Sequence, residues 1–128
     1  MNRRTAREKA MQILFQLNMN DTSIKDAIHL FLEDETSNKY LETIVQGVND
    51  NQQSIDNRIE EHLENWTLDR IAIVERTVLR IAVYEMMYEE DIPVSVSINE
   101  AVELAKKFGD DKSGPFVNGV LSKINVEG

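Results

Sequence analysis

The stretch from Asp91 to Ile124 constrains the chain to a pair of helices. Pro93 has no N–H and disfavours helical backbone at Ile92, so one helix must end before it. Ser97 and Glu100 stand at the S-x-x-E spacing of a capping box, which predicts a new helix starting at Ser97. Ile98, Ala101, Val102, Ala105 and Phe108 then fall on one helical face. Gly109 is placed where a C′ glycine would end that helix in the left-handed conformation. Asp110 and Asp111 make a turn, Ser113 is positioned to cap a last helix, and Pro115 is tolerated in its first turn. Phe116, Val117, Val120, Leu121 and Ile124 form the apolar stripe of that helix. Gly119 in its middle lowers helix propensity by about 1 kcal/mol against Ala. Another helix or a ligand is therefore expected close to the backbone there.

The rest of the chain reads the same way. Residues 3–18 form an amphipathic helix with Ala6, Ala10, Ile13, Leu14 and Leu17 on one face. Asn18 to Ser23 makes a loop, and Ser23 caps a short helix over 24–34 that ends in Glu33, Asp34 and Glu35. Ser37 caps a third helix through Tyr40, Leu41, Ile44, Val45 and Val48. Asn49–Asn51 breaks it, because asparagine and aspartate compete for helical hydrogen bonds. Ile55, Ile59 and Leu63 continue at spacing four over 53–64. Residues 68–90 carry many β-branched residues, which favour strands, but they do not alternate and the run is too long for one strand. They predict a helix capped by Thr67 or Asp69, apolar on most sides, buried by several neighbours and bent near Val74–Glu75. Trp66 is expected to pack where two halves, near 1–65 and 66–128, meet. The expected fold is one all-α domain of about seven helices.

Composition narrows the function classes. The 128 residues are 41% hydrophobic and 29% charged, enough to bury a core. No apolar run reaches the ~18 residues of a membrane span, and no secretory signal is expected. The absence of cysteine removes disulfides, thiolate metal sites and a cysteine nucleophile, and fits the cytoplasm. His29 and His62 are isolated, with no metal-ligand spacing. No phosphate loop, nucleophile elbow or paired carboxylates stand out, so neither enzyme, metal nor cofactor is expected. The net charge of −9 hides an asymmetry. Residues 1–9 hold Arg3, Arg4, Arg7 and Lys9 against Glu8 alone, a balance of +3, and the remainder stands at −12. A basic arm on an acidic body suits RNA phosphates at the arm and a basic protein on the body.

The segments IPVSVSINEAVELAKKFG and FVNGVLSKI, with RRTAREKAMQILFQL and LDRIAIVERTVLRIAVYE before them in order, resemble the NusB family of bacterial transcription antitermination factors over nearly the whole chain. The resemblance implies two small three-helix bundles packed together. It implies binding of boxA, a short single-stranded element of ribosomal RNA leaders, as a heterodimer with NusE, a small-subunit ribosomal protein. RNA polymerase and other Nus factors would complete the complex.

Each candidate residue has a structural and a functional reading. Arginines at a helix N-terminus oppose its dipole at a cost of a few tenths of a kcal/mol, so Arg3, Arg4, Arg7 and Lys9 favour a phosphate-binding role over incidental charge. Phe116 is by spacing a core residue; by resemblance it is a ring on which an RNA base stacks. Where relatives carry a basic residue just before this phenylalanine the chain has Pro115, and Lys112 is the cation that substitutes. Glu75, Arg76, Arg80, Tyr84 and Glu85 form a polar strip on the central helix, either surface decoration or, by resemblance, a partner face contacted through Glu75, Tyr84 and Glu85. A protein-interaction module or homodimer without specific RNA binding is the alternative function. An RNA-binding domain serving a ribosomal RNA methyltransferase is disfavoured by the lack of a cofactor-binding glycine motif.

Overall fold

The computed structural model describes residues 1–19, 23–32, 38–64 and 66–127. Among these the chain forms α1 (Arg3–Met19), α2 (Ile24–Leu32), α3 (Lys39–Asp50), α4 (Gln52–Glu60), a 3-10 turn (Leu68–Arg70), α5 (Ile73–Tyr88), α6 (Val94–Phe108) and α7 (Ser113–Glu127). Local chemistry explains several starts. The Asn2 side chain accepts from the Thr5 N–H at 2.8 Å, and Ser23 Oγ accepts from the Asp26 N–H at 3.2 Å. Asn38 Oδ1 accepts from Tyr40 and Leu41 at 2.9 and 3.2 Å. Asn38 thus caps α3, the role expected of Ser37, which lies outside the described residues together with Glu33–Glu35. The expected break at Asn49–Asn51 falls at Asn51, which closes α3 and opens α4.

α1, α2 and α3 pack on one another, and so do α5, α6 and α7. α4 lies against α3, α5 and α7, while α5 also meets α1 and α3. The two three-helix groups therefore share α5 as their seam. This explains its composition: Thr77 to Glu85 are buried without interruption. The part of the polar strip from Arg80 to Glu85, with Thr77 before it, points inward and finds partners, whereas Glu75 and Arg76 stay half-buried. Thr77 Oγ1 donates to the Ile73 carbonyl at 2.7 Å. Arg80 donates to both Asp56 oxygens, at 2.8 and 3.0 Å, tying α5 to α4. Tyr84 OH donates to Glu89 at 2.8 Å. A ring can lie there because α3 carries Gly47 beneath it.

Five local expectations are corrected. α6 starts at Val94, not Ser97, because Pro93, already fixed at φ −59°, accepts from the Val96 and Ser97 N–H groups through its carbonyl. Ser97 is buried, and Glu100 turns away from any cap toward Arg4. Gly109 is extended (φ −105°, ψ −151°) rather than left-handed. Its lack of a side chain serves proximity instead, since a Cβ would lie 2.3 Å from Ser113 Oγ. Ser113 is the first residue of α7 and accepts from the Asp110 N–H at 3.0 Å, whereas Asp110 Oδ1 accepts from the Lys112 N–H at 2.8 Å. The break in 68–90 comes at Ile71–Ala72, both extended, ahead of the expected bend. Trp66 does not pack between the halves: Leu68 and Ile71, just after it, take the buried places, and Trp66 is 56% exposed.

Candidate nucleic-acid interface

The first turn of α1 meets α6, and every arginine of the basic arm has an acidic partner there or nearby. Arg3 donates to Asp91 at 3.4 Å and lies over the Tyr40 ring, 4.9 Å from its centroid. Arg4 Nε reaches both Glu100 oxygens, at 3.2 and 3.1 Å, yet its side chain is 65% exposed. Lys107 crosses back to Glu8 at 2.9 Å. A small cavity of about 130 Å³ in this seam is walled by Arg4, Arg7 and Lys107 against Glu8, Glu100 and Glu103, an even charge balance. Lys9 is half-buried.

Arg7 differs in kind. It is 3% exposed and donates to Glu85 at 2.8 Å, with Glu100 at 3.7 Å. Glu85, 1% exposed, also accepts from Tyr40 OH. Burial, followed by the Glu85 carboxylate, pushes the Tyr40 phenol well above its ordinary range, so it stays a donor. Arg7, expected at the RNA, and Glu85 and Tyr84, expected at the partner, are thus interior. The reason is geometric: on a helix with several neighbours a charged stripe can point at another helix as readily as at water. In this structure Arg7, Glu85 and Tyr40 link α1, α5 and α3, and the Tyr84 ring packs on Gly47 of α3.

The remaining candidates converge elsewhere. Glu75, Lys112 and Phe116 line a cleft of about 320 Å³ with Trp66, Arg70 and Asp110. Phe116 is half-buried, resting on the core with part of its ring open to the cleft. Burial raises the Glu75 carboxyl above its ordinary value, and the Asp110 carboxylate adds to that. Asp110 itself is held low by the Lys112 N–H. The cleft thus offers two rings, two cations and two carboxylates, Glu75 held above its ordinary value and Asp110 below it. Sequence reasoning did not place Trp66 and Arg70 at a site; the available signal was a lone tryptophan standing off the apolar stripe that Leu68 and Ile71 continue. Among the described residues no group of His, Cys, Asp and Glu is arranged to hold a metal, and no helix is long and apolar enough to cross a membrane.

Known proteins share this arrangement of helices. The model of the NusB family matches residues 4–125. The transcription antitermination protein NusB of Bacillus subtilis (strain 168) is 56% identical over 127 residues, which is 99% of this chain and 97% of that protein. The structure of T. maritima NusB superposes with a TM-score of 0.90 at 39% identity, covering 99% of this chain and 92% of the other. A chain in the structure of antitermination factors NusB and NusE in complex with dsRNA superposes with a TM-score of 0.88 at 30% identity, covering 98% and 97%. Family model, sequence and fold agree from the basic arm to the end of α7, and the chain belongs to the NusB family.

Proposed function

We propose that this chain is a transcription antitermination factor. It binds the boxA element of ribosomal RNA leader transcripts together with the ribosomal protein NusE, and with RNA polymerase and other Nus factors keeps transcription processive. The observation that carries the reading is the full-length likeness to a NusB chain found with NusE and RNA. The work is binding, done in the cytoplasm, with no chemical step. Arg3, Arg4 and Lys9 supply phosphate contacts at the arm, and Lys112 and Phe116 receive a base at the cleft. Glu75 meets the partner. The domain acts as one unit, with residues near 1–65 and 66–128 as its halves.

Charge supports the pairing. A body at −12 repels RNA, and a basic ribosomal protein docked on it reduces that repulsion. RNA and partner are therefore expected to bind with positive coupling.

Fluorescence anisotropy with a boxA-like single-stranded RNA and a scrambled one, over a salt series, with and without NusE, is the test. The boxA-like RNA should bind better, and more tightly with NusE present. Arg4→Ala should reduce the salt slope by about 0.7, one lost phosphate contact. Glu100→Gln, which removes the carboxylate that engages Arg4, should tighten binding. Equal, weak binding of both RNAs, insensitive to either substitution, would overturn the reading.

A further inference from the structure

The connection between α5 and α6 carries an apolar surface at one corner of the fold. α5 ends at Tyr88, the Ile92 N–H donates to the Glu89 carbonyl at 3.1 Å, and Pro93 opens α6. Ile92 is buried and pins the turn. Around it Met87, Tyr88 and Val96 are 39%, 42% and 40% exposed, three of the six large hydrophobic residues left in water among the described residues. Pro93 is exposed as well. One such residue alone is ordinary. Three on either side of one tight turn make a patch.

The patch is prepared for contact. The Tyr88 ring stacks on Tyr84, with centroids 5.6 Å apart, and the Tyr84 hydroxyl donates to Glu89 at 2.8 Å. A ring held in this way loses little rotamer freedom when it is covered. Met87 beside it has the unbranched side chain that moulds to a partner.

Charge says what kind of partner fits. From Ile81 to Ala105 the chain holds Glu85, Glu89, Glu90, Asp91, Glu100 and Glu103 and no basic residue. Glu85 and Glu100 face the arginines of α1, whereas Glu90 and Asp91 at the corner are exposed. Asp91 meets Arg3 at 3.4 Å, but both side chains are more than half exposed, so a second cation can compete. RNA is repelled from such a corner. A second copy about a two-fold axis would bring the same acids together. A basic protein surface with an apolar or aromatic anchor matches both the charge and the patch.

We propose that the α5–α6 corner docks a basic segment of a second protein of the transcription complex, one other than NusE. Met87 and Tyr88 receive its apolar anchor, and Glu90 and Asp91 receive its lysines or arginines. Glu75, the partner contact proposed above, stands thirteen positions before Tyr88 on α5, roughly 20 Å along the helix. The two surfaces can therefore be occupied together. The proposal rests on the antitermination reading for the complex that holds the partner, and on the corner itself for the chemistry.

The photoreactive residue p-benzoylphenylalanine is placed at position 88 of the full chain. The chain is then irradiated in a complex reassembled from NusE, boxA-like RNA, RNA polymerase and the other Nus factors. A crosslink to a protein other than NusE is expected, within a segment that mass spectrometry shows to be rich in lysine or arginine. Met87→Glu and Glu90→Lys should each lower its yield severalfold while helicity and NusE affinity stay those of the parent. A crosslink to NusE, to RNA or to a second copy, or none in an assembled complex, overturns the proposal. Failure of the complex to assemble at all counts against the antitermination reading instead, and a binary measurement then decides the corner. A helical peptide with lysine on one face and leucine on the other should shift the Met87 methyl resonance in a methyl NMR spectrum, and its glutamate–leucine counterpart should not. No shift, or the same shift with both peptides, removes the docking surface whatever the complex does.

Discussion

Glu85→Ala should lower the unfolding free energy by about 3–5 kcal/mol, the usual loss when one member of a buried ion pair is removed. For a chain of this length that is a fall in melting temperature on the order of 10–20 °C, read by circular dichroism. The substitution strands Arg7, which is 3% exposed and, among the described residues, keeps Glu100 at 3.7 Å and the Tyr40 ring at 5.7 Å. It also removes the acceptor of the half-buried Tyr40 hydroxyl. The loss is a penalty of desolvation more than a measure of attraction, so replacing both charges together should recover much of it. Arg7→Met with Glu85→Leu is expected to be more stable than Glu85→Ala alone. A double variant at least as damaged as the single one would show that the pair contributes net stability. Arg7→Ala should lower RNA affinity and stability together, since α1 loses its anchor. Arg4→Ala should lower RNA affinity alone, and this difference separates a contact residue from one that holds the arm in place.

Gly47→Val should cost about 1–3 kcal/mol by overpacking. A Cβ at position 47 falls 2.2 Å from Tyr84 Cε1 and 2.5 Å from Cζ. The ring has little room to retreat. Its hydroxyl is held by Glu89 at 2.8 Å, and it stacks on Tyr88 with centroids 5.6 Å apart. Helix propensity alone would favour a side chain over glycine in α3, so the measured sign decides which effect wins. Urea denaturation of Gly47→Ala, Tyr84→Leu and the pair completes a cycle. Tyr84→Leu should cost less in the Gly47→Ala background than in the parent, because the smaller side chain relieves the clash. Strict additivity would mean that the ring swings away freely.

The fold was largely legible because helical spacing is redundant. Ile55 and Ile59, or Val117, Val120, Leu121 and Ile124, each repeat the same instruction, and all are buried as expected. Boundaries were less legible, since they depend on single residues with competing options. Ser97 and Glu100 matched a capping box, but Pro93 had already begun the helix three residues earlier. The direction of polar residues on α5 was illegible for another reason. A stripe of Arg80, Tyr84 and Glu85 looks alike whether it faces water or meets Asp56 and Arg7 on other helices and Glu89 at the end of its own. Those partners lie between 5 and 78 positions away, and no local pattern links the distant ones. The cleft was half legible. Lys112, Phe116 and Glu75 came from resemblance, while Trp66 and Arg70 entered only when the turn before α5 brought them alongside.

The ion pairs along α1 have a consequence for selectivity. Arg3, Arg4 and the Lys107–Glu8 crossing each hold a carboxylate already. The arm therefore behaves like an ion exchanger supplied with its anions attached. A phosphate must displace a resident carboxylate rather than occupy an empty site, so the net gain at each exchange is small. Polyanions at large win little from such a surface. On the proposed RNA-binding reading, a strand that also stacks a base at the Phe116 cleft gains what the arm alone does not supply, which turns a modest electrostatic contact into a test of sequence.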